Sequence, residues 1–247
     1  MMNIIFYFQV HQPYRLKRLS IFDIANTGDY FDEDLNRLVI NKVGEKCYIP
    51  TNKLLLNLIN KFEGRFKIAF SISGVAIEQF KKYNPYILEL FQELAKTGCV
   101  EFINETYYHS LAFLYNKQEF IDQIKMHRKL VEDEFGYKPT VFRNTELIYY
   151  NKIADYLKEF KDIKVILTEG ADKILNWRSP LYPYRTYNDK QYLLLKYYSL
   201  ADDIAFRFSN KGWVEWPLTV EKFVQWIDRL HLIESSDRPL YLNLFMD

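Results

Sequence analysis

Cysteine is nearly missing: Cys47 and Cys99 are the only two, and they lie far apart in the chain. That rules out a disulfide framework and a thiolate zinc cluster, and it makes a reducing, cytoplasmic setting the expected location. Glycine is scarce as well, at 8 residues, and the first apolar run is followed by His11-Gln12-Pro13 where a nucleotide-binding chain would carry a G-x-G-x-x-G turn. Charge of one sign is lacking too. With 33 basic and 32 acidic residues the formal charge is +1, which gives no electrostatic footprint for nucleic acid or an anionic membrane. No apolar run reaches the roughly 18 residues of a membrane span. The opening MMNIIFYFQV has neither a basic leader nor a small-residue cleavage site, so it reads as a first strand and not as a signal peptide.

Hydrophobic residues make up 49% and charged ones 26%, a balance that supports one sizeable core and argues against disorder. Aromatics reach 17%, mostly Tyr and Phe. Aromatic rings stack on the apolar faces of sugars, but a general compositional bias explains the same excess, so both readings stay open. No repeat, low-complexity tract or linker divides the chain. Short β-rich runs alternate instead with helical patterns. Strands are expected at 3–8, 65–73, 99–104, 140–144, 164–169 and 239–247, with β structure also at 192–199 and 204–209, possible partners in a hairpin. Helices are expected at 52–62, 84–98, 116–136, 152–160 and 220–233, the second opened by Pro85 and stopped by Gly98, the third stopped by Gly136. This alternation implies right-handed βαβ units on a parallel sheet, and the missing dinucleotide turn favours a barrel over a doubly wound sheet.

A (β/α) barrel builds its active site at the carboxyl ends of its strands. Polar groups gather there: Gln9, His11 and Gln12; Ser71 and Ser73; Asn104, Glu105, Tyr107, Tyr108 and His109; Arg143, Asn144 and Glu146; Glu169; and Asp247. Strands also turn polar on leaving any core, and acids often cap the next helix, so no single residue in this set decides the matter. Carboxylates without metal-ligand spacing suit acid/base and nucleophilic work on an acetal. The scattered histidines form no H-E-x-x-H pattern, and there is no G-x-S-x-G elbow.

In order along the chain, these segments resemble glycoside hydrolase family 57, the α-amylase and 4-α-glucanotransferase family. His11-Gln12-Pro13 is similar to its first signature. GCVEF at 98–102 is similar to the second, with Glu101 as the matched acid and Cys99 where an amide is usual. ETYYHSL at 105–111 looks like amylase-type members. FRNTELIY at 142–149 falls where the family carries its nucleophile, which matches Glu146, and LNLFMD matches the catalytic acid/base to Asp247. LADDIAFRFS at 200–209, followed by Trp213 and Trp216, resembles the segment before that last signature.

The resemblance implies an incomplete (β/α)7 TIM-like barrel, with residues 1–247 as a single catalytic domain truncated at its C-terminus ahead of a helical region. It also implies a retaining α-glycosidase or transglycosylase acting on α-glucan. Glu146 would be the nucleophile and Asp247 the acid/base, with His11, Gln12, Glu101, Tyr107, Tyr108, His109, Trp213 and Trp216 holding substrate. Neither cofactor nor metal is implied. Two alternatives remain: a non-catalytic glucan-binding homologue, and a metal-dependent polysaccharide deacetylase using His11 and His109.

Overall fold

The structure is a computed structural model that describes residues 2–23, 28–233 and 238–246. Among the described residues are eight strands: β1 (Met2–Val10), β2 (Ile68–Ile72), β3 (Val100–Phe102), β4 (Val141–Arg143), β5 (Val165–Glu169), β6 (Tyr184–Arg185), β7 (Tyr192–Lys196) and β8 (Leu240–Met246). Hydrogen bonding orders seven of them β3-β2-β1-β8-β7-β5-β4, with β6 antiparallel on β7. β1–β8, β8–β7, β7–β5 and β5–β4 are all parallel. Every residue of β2 is buried, as expected for a strand covered on both faces.

Two compact units make up the chain, one of Met1–Gln9, Ala69–Ser71 and Thr140–Asp247, the other of Val10–Ile68 and Ile72–Pro139. In the first, β1 and β8 run in register from Met2↔Leu240 to Phe8↔Met246. The period-2 alternation of β8 sorts its side chains. Leu240, Leu242 and Leu244 pack with Leu200, Ala201 and Ile227 in an apolar cluster. The intervening Asn243 and Phe245 turn the other way, Phe245 resting its ring 5.1 Å from that of Tyr7. The second unit is mostly helical. Its 19-residue helix Lys117–Phe135 starts at Asn116, whose side chain accepts from the N–H groups of Gln118 and Glu119, and stops at Gly136 in the left-handed conformation.

Most expected elements are present, within a few residues of their expected bounds. One is not: residues 204–209 are not β. Asp203–Arg207 forms a π-helical turn continuing the helix Tyr198–Asp202, and the expected hairpin partner of β7 is β6 instead. The reason is a local ion pair. Arg207 reaches back four residues to Asp203 and also donates to the Ser199 carbonyl, contacts that only a helical spacing brings together. Among the described residues, two α-helices of ten or more residues also carry no expectation. Glu33–Val43 is announced only by its Asp32 cap, and Gly74–Tyr83 is buried along most of its length, its polar stripe reduced to Glu78, Lys81 and Lys82. Among the described residues no helix is long and apolar enough to cross a membrane.

Candidate active site

In the first unit, β4 runs into a tight 3-10 turn, Thr145–Leu147, at the centre of which Glu146 has φ 55° and ψ 25°. A left-handed backbone is uncommon away from glycine and tends to mark strained, functional positions. The turn is pinned from several sides. Thr168 Oγ1 donates to the Leu147 carbonyl at 3.0 Å, Asn144 Nδ2 to the Ile148 carbonyl at 3.0 Å, and the Leu147 N–H to Asn144 O at 3.0 Å. Glu146 is thereby exposed at the end of β4, on the wall of a cavity of about 660 Å3 that Glu169 and Thr168 also line. Loss of water in that setting raises the pKa of Glu169, and Lys196, its Nζ 3.9 Å away, pulls it back.

Arg143, just before this turn, is buried among apolar side chains. Its guanidinium donates to Gln9 Oε1 and lies 4.7 Å from the ring centre of Phe245. Tyr7 is fully buried, and its hydroxyl has no hydrogen-bond partner among the described residues. Burial raises the pKa of that phenol, with Arg143 opposing the rise and Glu169 adding to it. Tyr7, Gln9, Arg143, Glu169, Lys196 and Phe245 thus form one polar–aromatic set on strand interiors and ends, of which only Gln9, Arg143 and Glu169 stood out in the sequence. Tyr7 and Lys196 lie inside apolar β runs that carry no distinguishing motif. Asp247, matched to the acid/base, lies outside the described residues.

The second unit holds a different group. His11 Nδ1 is 2.7 Å from Ser73 Oγ, and its ring stacks on His109 with centres 4.3 Å apart. His109 Nδ1 is 3.0 Å from the carboxylate of Glu105, which is wholly buried. Beside His11 opens a cavity of about 490 Å3, lined also by Tyr14, Phe31, Glu78, Lys82 and Tyr108. Tyr107 donates to Glu78 at 2.6 Å and lies edge-on to Tyr108. Its ring passes so close to Gly74 that a Cβ there would sit 2.6 Å from it, so any side chain at 74 would have to displace Tyr107. Burial, reinforced by the bond to Glu78, raises the Tyr107 hydroxyl, and Tyr14 is pushed up to about 12, chiefly by burial.

The remaining expected residues are placed apart from these cavities. Gln12 accepts from Arg15 at 2.9 Å and points its amide at Tyr48. Glu101 accepts from the Tyr137 hydroxyl at 3.4 Å, and burial raises its pKa. Cys99 is buried, its thiol 3.5 Å from the Gly64 carbonyl. Trp213 packs edge-on against Trp226, while Trp216 is 42% exposed. Neither Trp213 nor Trp216 lines either cavity. Among the described residues no group of three or more His, Cys, Asp or Glu side chains is placed to hold a metal ion. Glu105 and Glu78 carried no expected role. Glu105 had a usable signal in its spacing, since a carboxylate four residues before His109 is close enough to bond it when the intervening chain turns.

Strands whose exits carry carboxylates and histidines beside open cavities define a class of barrel enzymes, and the particular family follows from comparison. Residues 5–247 match the model of glycosyl hydrolase family 57, and the chain belongs to that family. A Methanocaldococcus jannaschii protein provisionally named an alpha-amylase is 48% identical over 249 residues, a match covering 100% of this chain and 51% of that protein. The chain therefore spans about half the length of that relative. Among solved structures, the 4-alpha-glucanotransferase of Thermococcus litoralis superposes with a TM-score of 0.74 at 19% identity, over 100% of this chain and 33% of the other. A family-57 branching enzyme of Pyrococcus horikoshii gives 0.66 at 17% identity, over 99% and 62%. The fold is the (β/α)7 barrel of these proteins, and the chain is partial relative to them.

Proposed function

We propose that this chain supplies the catalytic barrel of a retaining α-glycosidase or transglycosylase acting on α-glucan, of the α-amylase or 4-α-glucanotransferase type. The observation that carries the proposal is Glu146: in a chain of this family, it is the carboxylate held on a strained turn at a strand exit and exposed in an open cavity. Glu146 attacks the anomeric carbon, and the glycosidic oxygen leaves with a proton from Asp247. This forms a covalent glycosyl-enzyme ester. Asp247, now a carboxylate, takes a proton from water or an acceptor sugar hydroxyl, whose oxygen displaces Glu146 and restores both groups. Two inversions give net retention and require the two carboxyl groups about 5–5.5 Å apart. The cavity beside His11 and Tyr108 is of a size and polarity suited to a sugar ring, with aromatic walls for its apolar faces and Glu78 for its hydroxyls.

Glu146→Gln tests the assignment. Turnover of maltooligosaccharide by the full-length protein is expected to fall by at least about 1,000-fold, with the thermal transition preserved. Proton NMR of the wild-type products should show the α-anomer first. Unchanged hydrolysis by the variant would overturn the role of Glu146. Saturable binding without turnover, in the wild type as well, would instead identify a glucan-binding homologue.

A further inference from the structure

We infer that Glu105 is a positioning residue: its buried carboxylate fixes His109, and through the stacked rings of His109 and His11 it sets the aim of His11 into the adjoining cavity. The inference rests on the reading of that cavity as a sugar site, but its geometry stands independently. Glu105 is wholly buried. A carboxylate so removed from water is tolerated only when strong donors meet it, and His109 Nδ1 lies 3.0 Å from its Oε2. An ionised carboxylate only accepts, so in that state its partner is the His109 Nδ1–H. The backbone of Glu105 is held as well, its N–H donating to His127 Nδ1 at 3.3 Å. The carboxylate is therefore a fixed anchor.

His109 is constrained from its own side. Its φ is 53°, left-handed for a residue with a bulky side chain. The turn that imposes this is closed by the His109 N–H on the Thr106 carbonyl and the Ser110 N–H on Thr106 Oγ1. Its ring is presented nearly parallel to that of His11, 24° between planes. His11 is then gripped at two places, by the His109 face and by Ser73 Oγ at Nδ1. Ser73 is itself tied by its N–H to the Val10 carbonyl. So held, His11 lines the adjoining cavity. Glu105 does not line that cavity, so its route to it runs through the two rings.

The test uses this chain labelled with 15N-histidine, whose four histidines make long-range imidazole spectra assignable. In Glu105→Gln the loss of charge should move the signals of both His109 and His11. The Kd for maltotriose should rise on the order of tenfold, the size of one weakened polar contact. Glu105→Asp keeps the charge at shorter reach and should give intermediate values in both measurements. It also replaces the Gln variant if that fails to fold. A folded variant whose His109 signals shift while those of His11 and the maltotriose Kd do not would overturn the inference, as would signals unmoved at both rings. If wild-type protein binds no maltotriose, the sugar-site reading fails by itself, and the histidine signals still decide the role of Glu105.

Discussion

A guanidinium sealed among aromatic rings is the clearest residue-scale feature of the first unit. Arg143 faces Gln9 and the ring of Phe245 at once, a planar fork on one side and a stacked cation on the other. Lysine keeps the charge but neither the fork nor the flat face. Arg143→Lys is therefore expected to lower the unfolding free energy by about 2 kcal/mol, read as a lower midpoint in urea with an unchanged slope. His127 makes a second residue-scale case. Its Nε2–H donates to the Ile72 carbonyl at 2.7 Å and its Nδ1 accepts from Glu105, so the Asn104 amide, 2.9 Å from Nδ1, suits a neutral ring only with its NH2 turned inward. Burial lowers the pKa of His127 below its ordinary value, with Glu105 pulling the other way. The folded state then refuses a proton that the unfolded chain accepts below about pH 6.5. Stability is full above that pH and declines as pH falls beneath it, with a slope of at most about 1.4 kcal/mol per pH unit. His127→Gln should flatten this slope in urea titrations between about pH 5.5 and about pH 7.5. Subtracting the two curves cancels the opposing effect of Glu101 and Glu169, whose raised pKa values are common to both proteins.

Elements show how local chemistry decides a boundary or a turn. Asn116 caps the long helix with two bonds, at 3.0 Å and 3.1 Å, and its replacement by Ala should cost about 1 kcal/mol by the same urea assay. The Glu146 turn runs the other way, since its left-handed backbone is strained for any side chain. Glu146→Gly is accordingly expected to be more stable than Glu146→Ala by about 1 kcal/mol, both being without turnover. Equal midpoints would mean that the turn relaxes when the carboxylate goes. These elements also show what the sequence made legible. β1, β5, β8 and the helix Lys117–Phe135 follow from apolar runs, an Asn cap and a terminal glycine, because their signals are local. The turn Asp203–Arg207 was misread because its alternating apolar residues mimic a strand, while the ion pair that makes it helical depends on spacing. Glu146 could be singled out as an acid in an apolar run, but its strained φ could not. The partner of Glu101 is Tyr137, 36 positions away, and no spacing rule reaches that far.

At the scale of the molecule the main consequence is topological. The first strand pairs with the last, Met2 opposite Leu240, so that pairing forms only after nearly all of these 247 residues are available. Asn3 confirms the closure from its side chain, donating to the Leu240 carbonyl at 3.3 Å across 237 positions. Pairings of such separation must meet the entropy of loop closure before they return any stability, and they slow folding accordingly. β1 also depends on β8 for its ladder, as β7 depends on β8 through Lys196 and Asn243. A chain ending at Pro139 keeps β1 but loses β8, leaving the strand's hydrogen-bonding edge and the Tyr7 ring without their partners. Residues 1–139 alone should therefore show little amide protection in β1 by hydrogen exchange, while in the 247-residue chain β1 and β8 should lose protection at the same denaturant concentration. Persistent protection of residues 3–8 in the shorter chain would show that β2 alone suffices to hold the first strand, and that the pairing with β8 is a late addition to an already formed edge.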